Sequence, residues 1–254
     1  MKLVLVEPAL SVPRAEENAR TLERLLAPLA GTLAADDIVL LPEHCVATPL
    51  RTEYDRVMSG LAHSLGATIV GGSHHEDRDG TRVNTGAVFD ASGNVAGRYE
   101  KIRPYAEERT RVRDGRALGE FSLGGRRVLV LVCADFWFSD VFYRASALPD
   151  LILVPAFSVS RKPTPDYSRA LWKHLAVARA YEFGTYVGIS DWMHSSEWPT
   201  ASGVSGFGDP TQVDPDRFFS PTGGAVRVYD IDWSALEAFR RDRVSRGFFW
   251  KVTA

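Results

Sequence analysis

Short apolar runs alternate with stretches of helical periodicity along most of this sequence, and the alternation limits the folds available to it. Residues 3–6 and 38–41 are apolar runs of strand length. Between them, leucines recur at the spacing of one helix face, at Leu22, Leu25, Leu26 and Leu29. A second helix is predicted over 54–65, ended by Gly66 and followed by a strand at 68–70. The pattern predicts an α/β fold, with strands in sheets and helices on their faces.

Two Gly-containing turns interrupt this alternation and indicate hairpins. The first, Ala-Ser-Gly at 91–93, lies between predicted strands at 85–90 and 94–100. The second, Gly-Gly at 124–125, leads into the apolar run 126–132, which has the composition of a strand covered on both faces. Because a hairpin pairs its strands antiparallel, we expect the sheets to be mixed.

The second half of the chain continues the pattern with less regularity. A helix is predicted over 167–183, and its apolar face is expected to contain Leu171, Leu175 and Ala178. Residues 195–220 are richer in Gly, Pro, Ser and Asp, which predicts loop with short strands. The remaining elements are predicted as strands at 151–154, 185–189 and 225–230 and a charged helix at 234–245.

The composition is that of an ordinary globular protein. Of the 254 residues, 45% are hydrophobic and 24% charged, so a large core can form and no segment is predicted to be disordered. We find no linker, internal repeat or low-complexity tract that would divide the chain. A single domain over residues 1–254 is therefore expected.

The charge balance and the cysteine count bear on partners and compartment. With 30 basic and 32 acidic residues the net charge is -2, which gives no reason to expect a nucleic acid or an anionic membrane as partner. No apolar run approaches the ~20 residues that span a bilayer, and the first residues are too briefly apolar for a signal peptide. Two cysteines suit a reducing compartment, so we expect a cytoplasmic protein with free thiols.

Three predicted strands each end next to a reactive side chain, and these side chains are Glu43, Lys101 and Cys133. In open α/β sheets such strand ends gather at the edge where function is found. A carboxylate there can accept the thiol proton, while an ammonium favours the thiolate and the charge that develops on a carbonyl under attack. The backbone N–H of Ala134 is placed to donate to the same oxyanion.

The surrounding motifs resemble those of a known family. They are LLPE at 40–43, YEKI at 99–102 and CADFWF at 133–138, and in this order they look like the Glu, Lys and Cys motifs of the nitrilase superfamily of carbon-nitrogen hydrolases. Further similar stretches are VGGS at 70–73, NTGA at 84–87 and residues 172–182. The resemblance covers most of the chain and weakens after Glu197. It implies a four-layer α-β-β-α sandwich of two mixed sheets.

The resemblance also implies a mechanism. Cys133 would be the nucleophile that forms a thioester, with Glu43 as base, Lys101 as cationic partner and the Ala134 amide as oxyanion donor. Members of the family often have a second glutamate seven residues after the lysine, where Glu108 stands. Its neighbour Glu107 is an alternative for that place. Neither metal nor cofactor is implied, and homodimers or larger homo-oligomers are expected.

The substrate class is less constrained than the mechanism. Cys-Ala-Asp at 133–135 looks closer to the Cys-Tyr-Asp of amidases than to the Cys-Trp-Glu of nitrilases, which favours a small amide that yields ammonia or an amine and a carboxylic acid. Ala134, Arg103-Pro104 and Ser139-Asp140 depart from the family pattern in ways that alter the pocket. Hydrolysis of an N-carbamoyl compound or a nitrile stays open. So does a non-catalytic pseudoenzyme or binding subunit with the same fold.

Other reactive residues have simpler interpretations. Cys45 has no matching motif and is assigned to packing. The cluster His-His-Glu-Asp at 74–77 is interpreted as an exposed loop and not as a metal site, because adjacent residues project in different directions. His44 and His174 lack the context of a Cys-His protease site. The glycines of 203–208 resemble a phosphate loop only weakly, since no strand precedes them and no lysine follows.

Overall fold

A computed structural model describes residues 1–12, 14–159, 162, 164–195 and 200–248, and we refer to these as the described residues. Their strands form two sheets. The strands of the first sheet are β1 Lys2–Val6, β2 Ile38–Leu40, β3 Thr68–Val70, β4 His74–Arg78, β5 Thr81–Phe89, β6 Val95–Glu100 and β13 Val226–Asp230. Strands β1, β2 and β3 are parallel neighbours, whereas β4, β6 and β13 join antiparallel, so the sheet is mixed.

The second sheet has the order β12-β11-β10-β9-β8-β7. Its strands are β7 Gly119–Leu123, β8 Arg126–Val130, β9 Leu151–Pro155, β10 Tyr186–Ser190, β11 Gly206–Gly208 and β12 Phe219–Pro221. The central strands β8, β9 and β10 are parallel, and the outer pairs are antiparallel. Strand β9 is apolar and buried along its whole length, as is typical of a strand covered on both faces, whereas β8 is buried from Val128 onwards.

Helices cover the outer faces of the sheets. They are α1 Ala15–Leu26, α2 Arg51–Leu65, α3 Ser139–Phe142, α4 Asp166–Phe183 and α5 Trp233–Ser245. One core cluster lies between α1, α2 and the first sheet, where Val4 and Val39 meet the helices. The other joins the inner faces of the two sheets and continues to α4. The layers are therefore helix, sheet, sheet, helix, which confirms the α-β-β-α sandwich.

The two sheets approach each other closely at a glycine. A Cβ atom at Gly188 of β10 would lie 2.8 Å from Leu3 and 3.2 Å from Leu5, both on β1. Glycine at this position lets the aliphatic side chains of β1 pack directly on the backbone of the opposite sheet. The close packing fixes how the strand ends of one sheet face those of the other.

Most predicted elements are present, with three differences. Strand β8 ends at Val130, two residues earlier than predicted, and a 3-10 turn over Cys133–Trp137 follows. The buried face of α4 contains Trp172, Ala176, Ala180 and Phe183, one position away from the predicted face, and Leu171 is exposed. Of the predicted face, Leu175 packs against the core while half-buried, whereas Leu171 and Ala178 are exposed. The buried Trp172 ring stacks on Phe136 instead.

The third difference is the most consequential. Residues 74–77 are not an exposed loop but most of β4, the antiparallel partner of β5. His74 and Glu76 are buried, at 0% and 3% exposure, because the His74 ring stacks on Tyr54 and Glu76 pairs with Arg51 and Arg78. Alternation along a strand sends His75 to the opposite face.

The predicted loop at 195–220 does contain the short strands β11 and β12, and residues 196–199 lie outside the described residues. None of the helices in the described part of the chain combines the length and apolarity that a bilayer-spanning segment needs.

Gly72 makes a testable contribution to the fold. Its φ of +66° is left-handed, and an added Cβ would overlap the carbonyl oxygen of Pro42, which precedes Glu43. Gly80 has a similar φ of +75° with nothing within 4 Å of the added atom. We expect Gly80→Ala to cost about 1–2 kcal/mol from the backbone alone. Gly72→Ala should cost about 1–3 kcal/mol more, because the strand end must move.

Denaturant unfolding of both variants measures this difference. Equal losses in the free energy of unfolding for Gly72→Ala and Gly80→Ala would mean that the contact with Pro42 does not constrain the strand end.

Candidate active site

The three residues predicted from strand ends lie together at one edge of the sandwich. Glu43 follows β2, Lys101 follows β6 directly, and Cys133 begins the turn after β8. They are buried, with exposures of 2%, 3% and 8%. The backbone fixes Glu43 from both sides, since its N–H donates to the Ala156 carbonyl after β9 at 3.2 Å. Residues distant in sequence are thus brought to one point by the ends of the strands.

Lys101 is held between two carboxylates. Its Nζ lies 2.8 Å from Glu43 Oε1 and 2.7 Å from Glu108 Oε2. The structure therefore brings Glu108 into the site, whereas Glu107 is exposed. Burial alone would lower the pKa of Lys101, but the charges of Glu43, Cys133 and Glu108 outweigh burial and raise it above its ordinary value. The ammonium stays charged.

Asn84 connects the two carboxylates. Its Nδ2 donates to Glu43 Oε1 at 2.8 Å and to Glu108 Oε1 at 2.7 Å. His75 lies opposite Asn84 in the register of β4 and β5, and its Nε2 is 2.8 Å from Glu108 Oε1. Burial raises the pKa of Glu108, but hydrogen bonding from His75 and the charge of Lys101 overcome it and lower the pKa below its usual range. Glu108 is therefore a carboxylate.

Cys133 stands in a strained turn. Its φ is 49°, a left-handed conformation that costs a non-glycine residue roughly 1–3 kcal/mol and recurs at functional sites. The Sγ atom lies 3.7 Å from the Phe157 carbonyl oxygen. Ala134 is the second residue of the 3-10 turn, where a backbone N–H has no partner within the turn. The turn thus presents the thiol and the Ala134 amide together.

The charges around Cys133 shift the pKa of its thiol in opposite directions. Burial raises the pKa of its thiol well above the ordinary value, and Glu43 raises it further by charge and by hydrogen bonding. The ammonium of Lys101 lowers the same pKa. The thiol is therefore protonated at neutral pH, with a carboxylate placed to take the proton and a cation placed to stabilise the thiolate.

Two buried side chains support the loops that carry these groups. Trp192 Nε1 donates to the Glu43 carbonyl at 2.7 Å. Asp135 accepts from the backbone N–H groups of Ile102 at 2.9 Å and Arg103 at 2.7 Å, which holds the segment after Lys101. Burial raises the pKa of Asp135 to about 7, although these two amides oppose the shift.

Two departures from the family pattern contact each other. Arg103, after Lys101, forms an ion pair with Asp140, after Cys133. The Arg103 guanidinium also lies over the Phe138 ring, 4.5 Å from its centroid. These side chains are partly exposed beside the site, and their contact joins the two loops.

The sequence analysis did not identify His44, His75 and Asn84 as site residues. His44 lies next to Glu43 with a left-handed φ of 58°, and its Nε2 is 3.7 Å from Glu43 Oε1. Its ring meets the His75 ring at 4.5 Å between centroids. The NTGA motif and the adjacent pair of histidines were visible in the sequence, but only the register of β4 and β5 joins them.

Solved structures place this fold in a defined class. A CN-hydrolase superfamily protein from Xanthomonas campestris superposes with a TM-score of 0.80 at 22% identity, covering 100% of this chain and 98% of that one. Nit3 of Saccharomyces cerevisiae, a nitrilase-superfamily member, superposes with a TM-score of 0.76 at 19% identity, covering 95% and 93%. The chain has the nitrilase-superfamily fold.

A third structure comes from an amidase. A variant of the amidase from Nesterenkonia sp. AN1, which shows Michael addition of acrylamide at its active-site cysteine, superposes with a TM-score of 0.75. It is 20% identical, and the superposition covers 98% of this chain and 100% of that one.

A model of the carbon-nitrogen hydrolase family matches residues 12–216, and the chain belongs to this family. It is thus a hydrolase, and its resemblance to the nitrilase superfamily is confirmed. Among curated proteins, the omega-amidase NIT2 of Danio rerio is 26% identical over 266 residues, covering 94% of this chain and 91% of that protein. NIT2-B of Xenopus laevis, also an omega-amidase, is 26% identical over 67% of this chain and 72% of its own length.

The two cysteines differ in a way that alkylation can measure. Cys45 is fully buried in the helix-facing core, and burial raises its pKa to about 12. Cys133 is slightly exposed and has a carboxylate and an ammonium beside it. We expect iodoacetamide to label Cys133 in the folded protein and to leave Cys45 unmodified, as measured by peptide mass spectrometry.

Cys45→Ser and Cys133→Ser are the matched controls. The first variant should retain the labelling and the second should lose it. Equal labelling of both cysteines, or faster labelling of Cys45, would contradict a reactive role for Cys133 and favour a non-catalytic protein with this fold.

Proposed function

We propose that this protein hydrolyses a small, non-peptide amide through a thioester on Cys133, releasing ammonia or an amine and a carboxylic acid. The observation that carries the proposal is the buried cluster in which Lys101 bonds both Glu43 and Glu108 beside the Cys133 thiol. A protonated thiol with a base and a cation in contact is the arrangement that nucleophilic attack on a carbonyl needs.

In the first half of the reaction, Glu43 takes the thiol proton as Cys133 Sγ bonds to the amide carbon. An ammonium has three N–H donors, and two of those on Lys101 serve Glu43 and Glu108. The third is available to the oxyanion, together with the Ala134 N–H. The carbon–nitrogen bond then breaks, the protonated Glu43 donates to the leaving nitrogen, and a thioester remains.

In the second half, water replaces the amine. Glu43 accepts a proton from the water as its oxygen bonds to the thioester carbon, and the same two donors stabilise the new oxyanion. The carbon–sulfur bond breaks, the acid leaves, and Glu43 returns the proton to the thiolate. Glu108 positions Lys101 throughout. These steps need neither a metal nor an organic cofactor.

Amide hydrolysis is favoured by the relatives as well as by the motif at Cys133. The curated relatives with similarity over most of the chain carry the name omega-amidase. Hydrolysis of an N-carbamoyl amino acid or amine is the second candidate, because the same cluster would attack a carbamoyl carbon. Nitrile hydrolysis is a third, and it differs by requiring addition across a triple bond.

The setting of the enzyme is part of the proposal. A single domain over residues 1–254, a cytoplasmic location and a homodimer or larger homo-oligomer fit the composition and the family. The partner in this proposal is a small-molecule amide, with no role for nucleic acid or membrane.

A substrate screen tests the reaction class. Small aliphatic amides, N-carbamoyl amino acids and nitriles are offered to the protein under reducing conditions, and ammonia is measured. We expect turnover of amides without carbon dioxide, and a loss of roughly 10⁴-fold or more in Cys133→Ala because the nucleophile is absent. Cys45→Ala should keep the activity.

Measuring carbon dioxide together with ammonia distinguishes amide hydrolysis from hydrolysis of an N-carbamoyl compound. Carbon dioxide released with ammonia would favour the carbamoyl reaction. A protein that turns over none of the three classes, or that works equally well as Cys133→Ala, would rule out the thioester mechanism.

The two adjacent glutamates provide a second test. Glu108→Gln removes a charge from Lys101, so we expect kcat to fall about 100-fold through misplacement of the ammonium, with a smaller change in KM. Glu107→Gln is the matched control and should stay within about 2-fold of wild type, because surface substitutions have small effects. Equal effects of the two substitutions on kcat would remove Glu108 from the proposed mechanism.

A further inference from the structure

Three potential metal ligands meet at the front of the proposed active site. One ring nitrogen each from His44 and His75 and one carboxylate oxygen of Glu108 lie within 4.8 Å of one another. They come from different segments, namely the loop after β2, strand β4 and the turn Ala106–Thr110. The contiguous residues 74–77 do not form this cluster, since only His75 reaches it.

We propose that His44, His75 and Glu108 bind a divalent transition-metal ion, with Zn²⁺ as the probe, and that the bound ion reversibly blocks the site. Two imidazoles and a carboxylate are a donor set that zinc uses with a fourth position left open. The side chains of His44, His75 and Glu108 are 18%, 35% and 10% exposed, so solvent reaches the cluster while the ligands stay ordered.

The ring nitrogens of the two histidines bind a metal in their neutral form. His44 Nε2 lies 3.7 Å from Glu43 Oε1, and the centroid of the His44 ring is 4.5 Å from that of the His75 ring. His75 Nε2 and Glu108 Oε1 are 2.8 Å apart, and a proton can occupy the space between them. An ion would take its place, and the proton would move to Nδ1 or to solvent. His75 Nε2 can bind a metal only when it carries no proton.

The Lys101 ammonium does not occupy the same oxygen. Lys101 bonds Glu108 Oε2, whereas Oε1, the oxygen next to His75, also accepts from Asn84. Within the cluster of Glu43, Glu108 and Lys101 there is one more negative than positive charge, so a cation is tolerated. Donors about 2.1 Å from a tetrahedral zinc lie roughly 3.4 Å apart. The ligand atoms lie within 4.8 Å of one another, so side-chain rotation must bring the most distant pair together by up to ~1.4 Å. The 2.8 Å separation of His75 Nε2 and Glu108 Oε1 must open by ~0.6 Å.

Inhibition follows from the position of the ion. His44 Nε2 lies 3.7 Å from Glu43 Oε1, so a metal on His44 stands beside the proposed base. A divalent charge there attracts the Glu43 carboxylate and holds it away from the thiol. The ion also holds Glu108, and it occupies the space in front of the strand ends.

Direct binding to Cys133→Ala tests the proposal without any enzyme activity. Zn²⁺ is titrated against a chromophoric chelator, and His75→Gln and His44→Gln are each added in the Cys133→Ala background. We expect Cys133→Ala to keep the affinity and each histidine substitution to weaken it at least 10-fold. His63→Gln, on the exposed surface of α2, is the matched control and should bind as the parent does.

Cobalt provides a readout of the ligands. Co²⁺ bound to Cys133→Ala should give the visible absorption of a tetrahedral site, and His75→Gln should abolish it. The melting temperature of every variant is measured, and His44→Gln serves where His75→Gln does not fold. In wild type, Zn²⁺ should inhibit hydrolysis and EDTA should restore it.

Two results would overturn the proposal. Loss of affinity in Cys133→Ala would place the ion on the thiol. The same affinity in the parent, the two histidine variants and His63→Gln would indicate adventitious surface binding. Because these are binding measurements, they stand even where the amide screen fails, and a failed metal titration leaves the proposed hydrolysis untouched.

Discussion

The ammonium of Lys101, buried between Glu43 and Glu108, is the interaction on which the arrangement of the site depends. A buried charge that loses one partner costs about 3–5 kcal/mol, because the remaining charge stays without compensation. The lysine therefore couples the end of β6 to the end of β2 and to the turn that carries Glu108. Any displacement of one of these segments breaks a buried ion pair.

The rest of the site is held around these ion pairs by hydrogen bonds of three buried side chains. Asn84 bridges the two carboxylates, and the Trp192 indole fixes the backbone of Glu43. Asp135 ties the turn of Cys133 to the segment after Lys101. Each of these contacts joins segments that belong to, or directly follow, different strands, so the sheets help to determine the geometry around the thiol.

The sequence predicted those residues of the candidate site that a local pattern marks. Glu43, Lys101 and Cys133 follow apolar strands, and that position could be recognised from the runs before them. Strand β4 could not be recognised, because its polar composition is typical of a loop and its burial depends on Arg51, Arg78 and Tyr54 elsewhere in the chain. His75 was therefore not predicted as a site residue, because the sequence does not show that it lies opposite Asn84. Glu108 and Glu107 became distinguishable only when one of them met the lysine.

Strand β5 pairs with β3, β4 and β6, and it carries Asn84 in the site while β6 leads directly into Lys101. A strand with three partners has little freedom to shift, because a shift would break hydrogen bonds along both of its edges. Arg103 and Asp140, by contrast, meet between two loops beside the site. The positions of Asn84 and Lys101 thus depend on the sheet, whereas this part of the surroundings can change by exchange of a pair of loop residues.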